Sequence, residues 1–395
     1  MNSRKIPLFK VYSAPEASQH IQEVLRDGYT GQGPKVALLE RQLQRWMGSH
    51  RIVTLNSATS ALTLALHLLK KLQLLTYPQE DLNFAVGQQW DGLKEGDEVL
   101  STPLTCAASN FSIIHNNLKI KWYDVDPYNL GPDFTDLERK LSPKTRVIMV
   151  VSWGGLPVNV FALERIKQKC FDLYGFRPII IQDEAHSFGA QISDRFIPEF
   201  GNICSYSFQS IKHFSTSDGG CLVLPSPELK EQATLARWYG MNRTKTQELR
   251  CMENVAEAGF KYNLNDYCAA LGLANLPHME EILNLHRDNG KFYEDNVNLK
   301  YPTNKYQSEY WDNPSYWIFT VLVERRDDFE RYMAEHGVNV NRVHERNDNY
   351  TCLKEFKASL PKLDYIAPKI CAIPCGWWVS KEDREFIVSL IRAGW

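Results

Sequence analysis

The sequence has no excess of charge of either sign. Among its 395 residues, 45 lysines and arginines stand against 47 aspartates and glutamates, which gives a formal net charge of −2. Proteins that bind nucleic acid show a basic excess or a basic stripe, and this chain shows neither. We therefore expect no nucleic-acid partner.

Long apolar runs and clustered cysteines are also missing. No segment approaches the length of a membrane span, and the opening residues MNSRKIPLFKVYS lack the apolar run of a signal peptide. The nine cysteines are spread singly, and their closest pair, Cys371 and Cys375, is a poor pattern for a metal site. These absences predict a reduced, cytoplasmic protein with no membrane contact and no bound metal.

What the chain does have is an alternation of apolar strand patterns and amphipathic helix patterns. Continuous runs such as RVIMVVSW (146–153) and RPIIIQD (177–183) are typical of strands covered on both faces. This pattern predicts an α/β fold, and the length suffices for two domains. We predict a large domain (1–255) with a mainly parallel central sheet and a smaller C-terminal α+β domain (256–395). The N-terminal segment could pack on the smaller domain, and we interpret 72–94 as an insertion.

Two charged residues stand where chemistry on a heterocyclic cofactor would need them. Asp183 ends a buried strand, at the sheet edge where open α/β sheets place ligand groups, and its carboxylate could keep a ring nitrogen protonated. Lys212 lies in a polar turn, SFQSIKHFSTSDGG (207–220), where its amine could form a Schiff base with an aldehyde. Taken singly, Asp183 could cap the next segment and Lys212 could be a surface charge.

Small and polar residues mark further turns. Ser57-Ala58-Thr59-Ser60 joins a strand to a helix start, where N–H groups and hydroxyls could cradle a phosphate or simply cap the helix. The turns at 31–34 (GQGP) and 153–155 (WGG) suit a close ligand approach. The order of all these features along the chain predicts one shared site.

These motifs resemble the DegT/DnrJ/EryC1/StrS family of sugar aminotransferases, from Ile6 nearly to the C-terminus. The matching segments include TGQGPKVALLERQL, SATSALTLAL, DVDP, QDEAHSFGA, SFQSIKHFSTSDGG and IPCGWWVSKED. The resemblance implies the type I fold of pyridoxal-phosphate (PLP) enzymes and a homodimer whose active sites use both chains. It also implies transfer of the amino group of glutamate to a nucleotide-linked 3- or 4-keto-(deoxy)sugar. The product would be an amino sugar for glycan or secondary-metabolite synthesis.

The resemblance also assigns roles to single residues. Lys212 would form the Schiff base and move a proton, Asp183 would pair with the pyridinium, and His186 would lie close to the ring. The residues implied at the cofactor phosphate or ring hydroxyl are Ser57, Ala58, Thr59, Ser207, Gln209 and Lys261. Those proposed to contact the substrate are Thr30, Gln32, His344, Arg346 and Asn347.

Some segments depart from the family's pattern. The family often has an aromatic residue over the cofactor, in a segment like TFVAT, where this chain has TCAAS (105–109). It often has Asn-Tyr-Arg reaching the partner subunit's phosphate, where this chain has Lys261-Tyr262-Asn263. The segment RVHERNDNY (342–350) also differs, and it is either a substrate contact or an exposed polar loop. Further candidates for sugar contact, which a packed turn would explain equally well, are Trp238, Tyr239 and Arg243.

Three alternatives differ in chemistry. The letters DEAH at 183–186 also spell a helicase motif, but a helicase needs a GxxxxGK[ST] loop that the chain lacks. A PLP-dependent sugar dehydratase on the same fold has histidine in place of the lysine, whereas here Lys212 is present and His213 follows it. A non-catalytic regulator would carry an added basic DNA-binding segment, and none is visible. Transamination is therefore favoured.

Overall fold

The computed structural model describes residues 4–70, 91–243, 251–252, 254–305 and 312–395. Most of the predicted insertion at 72–94 lies outside these residues. No helix among them is both long and apolar enough to cross a membrane.

The described strands, in chain order, are β1 (Ile52–Leu55), β2 (Glu98–Ser101), β3 (Lys119–Trp122), β4 (Thr145–Val151), β5 (Ile179–Asp183), β6 (Gln191–Ile192), β7 (Arg195–Phe196), β8 (Ile203–Ser207), β9 (Gly220–Val223), β10 (Asp312–Asn313), β11 (Phe319–Leu322) and β12 (Ile370–Ile373). Seven of them form a central sheet in the order β1-β9-β8-β5-β4-β2-β3. Its pairings are parallel except those of β9, which is antiparallel to both neighbours. The predicted mainly parallel sheet is confirmed, and β8 and β9 form an antiparallel hairpin around the predicted polar turn.

The described α-helices are α1 (Ala17–Asp27), α2 (Pro34–Trp46), α3 (Ala58–Leu68), α4 (Ala107–Ile114), α5 (Phe134–Arg139), α6 (Val160–Tyr174), α7 (Pro227–Ala236), α8 (Asp266–Asn275), α9 (Met279–Asn296), α10 (Arg326–Glu335), α11 (Pro361–Ile366) and α12 (Lys381–Ala393). They cover the sheet on both faces. Alternate strand residues enter different cores: Val53 and Leu222 pack with α3, whereas Ile52 and Cys221 pack with α2. This two-sided burial explains why the central strands read as continuous apolar runs.

The C-terminal part builds on an antiparallel pair of strands. β11 pairs with β12, and this pair shares a core with α10 and α12. The N-terminal segment joins it, since Ile6 donates its N–H to the Gly337 carbonyl at 2.8 Å and accepts from Asn339 at 2.9 Å. Helix α8 packs instead against α1 and α2. The domain boundary at 255/256 stays a prediction.

A buried ion pair ties the first strand to the helices around it. Arg237, only 4% exposed, places Nη1 2.5 Å from Glu40 Oε1 on α2 and donates to the Thr54 carbonyl at 2.8 Å. Thr54 in turn donates its N–H and its hydroxyl to Glu40. Burial alone would raise the pKa of Glu40, but Arg237 and Thr54 stabilise the carboxylate and the pKa lies below its usual value. Removing either charge would leave the other buried and unpaired, with little water to solvate it.

We expect Glu40→Gln to lower the free energy of unfolding by about 3 kcal/mol, because Arg237 would stay buried without a counter-charge. Urea unfolding followed by circular dichroism measures this loss. The matched control is Glu23→Gln on α1, whose partner Lys35 is 2.7 Å away but lies near the surface. The control should change little, and equal losses in the two variants would contradict the assignment.

Candidate active site

The polar side chains of the predicted site lie along the edge where the parallel strands end. Asp183 is the last residue of β5, and Ser207 is the last residue of β8. The register places Gly220, which begins β9, beside both Ser207 and Leu55 at the end of β1. The loops that follow these strand ends therefore converge, as expected for a ligand site in an open α/β sheet.

Asp183 is a buried carboxylate with positioned donors. The Ser109 hydroxyl donates to Oδ2 at 2.6 Å and lies 2.8 Å from the Thr105 hydroxyl, while the N–H of Ala185 donates to Oδ1 at 3.2 Å. Burial raises the pKa of Asp183, and Ser109, Ala185 and the charge of Lys212 act against that rise. The side chain is thus fixed in one orientation at the strand end.

The neighbouring carboxyl group, Glu184, holds this strand end in place. Its Oε1 accepts from Ser152 Oγ and from Gln182 Nε2, both at 3.0 Å, and Gln182 accepts from Asn202 at 2.8 Å. Burial raises the pKa of Glu184 to about 7. Ser187 in the following loop donates to its Oε2, so protein groups hold both carboxyl oxygens, and Glu184 supports the strand end that carries Asp183.

The loop that carries Lys212 is closed by its own backbone. The N–H of Lys212 donates to the Gln209 carbonyl at 2.8 Å, Phe208 donates to Gly219 at 2.9 Å, and Thr216 donates to Phe208 at 2.9 Å. These bonds make a compact turn between β8 and β9. The lysine is therefore presented from a rigid base.

The C-terminal part of the chain clamps this loop from the other side. Trp317 Nε1 donates to the Ile211 carbonyl at 2.8 Å, and His213 Nε2 lies 2.9 Å from the Ser315 carbonyl. His213 is buried and its ring contacts the Ser315 carbonyl, so its role is structural. Among the described residues, Lys212 makes no such contact through its amine and is the candidate reactive group.

The Lys212 amine lies in an environment that disfavours its charge. Its Nζ is 3.5 Å from the centroid of the Trp317 ring. Burial lowers the pKa of Lys212 to about 7, although the Cys106 and Asp183 side chains act in the opposite direction. A substantial fraction of this amine is neutral near pH 7, which is the form that attacks an aldehyde.

His186 lies among rings close to the lysine. Its ring stacks on Trp317 with centroids 4.0 Å apart, and its Nε2 is 3.4 Å from Nε2 of His344. Its Nδ1 accepts from the Gly154 N–H at 3.4 Å. Burial and the nearby charges put the pKa of His186 well below its usual value, and burial lowers that of His344 to about 4. Both rings are therefore neutral at pH 7.

The N-terminus of α3 has the form of a phosphate cradle. Ser57 is the N-cap residue, and its Oγ accepts from the Ser60 N–H at 3.0 Å. The other first-turn N–H groups, those of Ala58 and Thr59, have no partner within a helix. A side chain at Gly220 would meet the Ala58 nitrogen at 2.6 Å, so only glycine lets β9 come this close. Such an end favours an anion.

Ser207 and Gln209 stand beside this cradle through the sheet register. The Ser207 hydroxyl accepts from the Gln209 N–H at 3.4 Å, and Gln209 Oε1 accepts from the Ile211 N–H at 3.2 Å. Gln209 therefore shapes the turn before Lys212. Its predicted contact with the cofactor stays a prediction.

Of the segment 342–350, only His344 reaches the rings around Lys212. Arg346 makes a two-point ion pair with Asp348, with both distances 2.7 Å, and a third contact with Asp364 at 2.6 Å. Asn347 is fully buried and donates to the Thr105 carbonyl at 2.8 Å. Arg346 and Asn347 thus hold the segment together, and their predicted substrate contacts stay predictions.

The remaining predicted residues lie outside this group. Thr30 is exposed and Gln32 half-buried in the turn before α2, and Lys261 is exposed beside Trp238. The structure therefore brings together Lys212, Asp183, His186, His344 and the α3 cradle, but leaves these three apart from them.

Sequence reasoning missed Trp317 and the role of Ser109. Trp317 precedes β11 in an apolar stretch, YWIFTVLV, where an aromatic residue reads as core. Ser109 was visible in the TCAAS segment, in the first turn of α4, but a serine in a first turn is common. Only the fold brings either residue to Lys212 or Asp183.

Comparisons with known proteins agree with this geometry. The profile of the DegT/DnrJ/EryC1/StrS aminotransferase family matches residues 12–392. The crystal structure of AtS13 from Actinomadura melliaura is 41% identical, with a TM-score of 0.89 and 100% of both chains covered. That of the sugar aminotransferase CalS13 from Micromonospora echinospora is 34% identical, with a TM-score of 0.89, covering 99% of this chain and 100% of that one.

A curated relative is named for its reaction. The dTDP-4-amino-4,6-dideoxy-D-glucose transaminase of Shigella dysenteriae is 27% identical over 384 residues, which covers 92% of this chain and 91% of that protein. The family match at residues 12–392 includes the α3 cradle, Asp183 and Lys212. The chain belongs to the DegT/DnrJ/EryC1/StrS aminotransferase family, whose enzymes use pyridoxal phosphate.

Proposed function

We propose that this protein transfers the amino group of glutamate to the keto group of a nucleotide-linked sugar. The observation that carries the proposal is that Lys212, a largely buried amine, lies near enough to Asp183, a buried carboxylate at the end of β5, for each charge to act on the pKa of the other. The name of the Shigella relative supports a nucleotide-linked sugar as the substrate. A homodimer and a cytoplasmic location are part of the same proposal.

The residues present fit pyridoxal phosphate on three separate grounds. The α3 N-terminus with Ser57 offers N–H groups to a phosphate. Asp183 offers a fixed carboxylate to a protonated ring nitrogen, and Lys212 offers an amine that is partly neutral near pH 7. When bound there, pyridoxal phosphate supplies an aldehyde for the amine and a ring that takes up electrons when a proton leaves carbon.

The chain's own residues then have distinct tasks. Lys212 would hold the cofactor through its aldehyde, and its neutral Nζ would accept and return a proton at the reacting carbon of the substrate. Asp183 would meet the ring nitrogen, and the Ser109 and Ala185 donors stabilise its carboxylate against the rise in pKa that burial causes. Trp317 and His186 exclude water from one side of Lys212. Each of these tasks depends on a fixed geometry that the loop and strand ends provide.

The presence of a lysine rather than a histidine at the reacting position argues against the dehydratase alternative. His213, the neighbouring histidine, is turned to Ser315 and to His286, whose ring centroid is 4.5 Å away. These contacts hold the His213 ring away from the role of Lys212.

The proposal predicts a glutamate half-reaction that can be seen by absorbance. Purified protein with pyridoxal phosphate should show an absorption band near the visible edge, and glutamate should convert it to that of the pyridoxamine form. Lys212→Ala should bind the cofactor noncovalently and lack the band, because no amine remains to bond to the aldehyde. The control Lys169→Ala, which removes an exposed lysine on α6, should retain it. A wild-type spectrum that glutamate leaves unchanged would contradict glutamate as the donor.

The keto-sugar acceptor has its own readout. The pyridoxamine form prepared with glutamate should return to the first spectrum when a nucleotide-linked keto-sugar is added, and mass spectrometry should find the amino sugar. Keto-sugars without a nucleotide should restore the first spectrum far more slowly. Equal rates with both would contradict the nucleotide-linked substrate.

Cofactor attachment should depend on pH with a midpoint near 7. The rate at which apoprotein bonds to pyridoxal phosphate follows the neutral fraction of Lys212, so it should rise about tenfold per pH unit below 7 and level off above. Asp183→Asn should move the midpoint to lower pH, because the Asp183 charge raises the pKa of Lys212. Stopped-flow absorbance measures both, and a midpoint near that of an ordinary lysine would contradict the assignment.

A further inference from the structure

Away from Lys212, two cationic side chains contact the ring of one tryptophan. The Nζ of Lys261 is 3.2 Å from the centroid of the Trp238 ring, and Cζ of Arg243 is 4.0 Å from the same centroid. Tyr29 completes this group, since its hydroxyl accepts from Arg243 Nη2 at 2.9 Å. We call Tyr29, Trp238, Arg243 and Lys261 the Trp238 cluster. A tryptophan face attracts a cation, which explains how both can gather on one ring.

The charge of the Trp238 cluster is not balanced within the described part of the chain. The contacts that Lys261 and Arg243 make among the described residues include no carboxylate. Their polar contacts are neutral: Arg243 donates to the Gln32 carbonyl at 2.9 Å, and Lys261 donates to Asn263 Oδ1 at 3.1 Å. Partial burial and then the charge of Arg243 lower the pKa of Lys261. An anion placed here would relieve the repulsion between the two cations.

The backbone ties the Trp238 cluster to the edge of the predicted cofactor site. Trp238 and Lys261 pair in an antiparallel bridge, and Asn263 pairs in the same way with Leu55 at the end of β1. The N–H of Asn56, one residue before the Ser57 cap, donates to the Tyr262 carbonyl at 2.7 Å. The cluster therefore lies a short distance from the α3 cradle but is separate from it.

The same cluster reaches the turn that sequence reasoning singled out for substrate contact. Arg243 is bonded to the backbone of Gln32, and Gln32 Oε1 is buried without a hydrogen-bond partner among the described residues. A buried acceptor with no donor is costly unless a ligand satisfies it. This second observation comes from a neutral group and is independent of the unbalanced charge.

We propose that the Trp238 cluster binds the diphosphate of the nucleotide-linked substrate. The inference rests on the proposed function, because it assumes a substrate that carries a diphosphate. Arg243 offers a planar fork of donors, Lys261 a compact charge and Tyr29 a hydroxyl, which together match a diphosphate's several oxygens. Gln32 Oε1 then accepts a hydroxyl or N–H from the nucleoside or sugar. A cofactor phosphate held by a second copy of the chain offers the same chemistry and is the alternative source that the test separates.

The test measures binding of uridine diphosphate and thymidine diphosphate to the holoenzyme by calorimetry. Arg243→Gln and Lys261→Gln should each weaken binding about tenfold or more, since each removes a charge-assisted contact. Lys261→Arg should keep most of the affinity. Raising the salt concentration should weaken wild-type binding more than binding by either glutamine variant, because fewer charges then contribute. The matched control is Lys35→Gln on α2, whose charge is already paired with Glu23, and it should bind as the wild type does.

The cofactor dissociation constant is measured on the same variants. If it rises in Arg243→Gln and Lys261→Gln while nucleotide binding is unchanged, the cluster serves a cofactor phosphate and the proposal is overturned. If neither affinity changes, the cluster is no anion site and the proposal is also overturned. The variants could lose nucleotide binding while the wild type shows no glutamate half-reaction. That result would support the nucleotide site and contradict only the proposed amino transfer.

Discussion

The site depends on a buried amine and a buried carboxylate that must remain reactive at the edge of one sheet. Burying either group as an isolated charge would cost several kcal/mol relative to leaving it in water. Asp183 is compensated by Ser109 and Ala185, and Lys212 responds by a lowered pKa, near 7. The amine is thus partly neutral near pH 7, while the donors around Asp183 stabilise its carboxylate against the rise in pKa that burial causes. The two groups differ because Asp183 accepts hydrogen bonds from fixed donors, whereas burial acts on Lys212 with little compensation.

Maintaining this balance requires contacts from distant parts of the chain. Trp317 from the C-terminal part anchors the Lys212 loop and covers the amine. Asn347 bonds to the backbone at Thr105, whose hydroxyl contacts Ser109 and through it Asp183. The segment around 342–350 therefore supports the Asp183 carboxylate through Thr105 and Ser109. Its charged residue Arg346 forms ion pairs with Asp348 and Asp364. A shift of the C-terminal part would reach both Lys212 and Asp183.

How far the sequence could predict this arrangement differs from residue to residue. The central sheet was predictable because β4 and β5 are continuous apolar runs, and such runs have few solutions other than a covered parallel sheet. The positions of Asp183 and Lys212 followed from their place after strands and from the family resemblance. Trp317 was not predictable, since an aromatic residue beside a strand has the same pattern whether it fills a core or lines a site. Arg346 was equally opaque, because a sequence shows a charge but not that Asp348 and Asp364 neutralise it. The grouping of Arg243 and Lys261 on Trp238 likewise depends on a strand bridge between distant segments.

The most direct test of this account is to reduce the holoprotein with borohydride, digest it and locate the cofactor by mass spectrometry. Borohydride fixes any bond between the cofactor's aldehyde carbon and a lysine amine. The account predicts the added mass on the peptide that contains Lys212 and on no other lysine peptide, with the label lost after glutamate has first converted the cofactor. Label on another lysine, or no label in a protein that binds the cofactor, would contradict it.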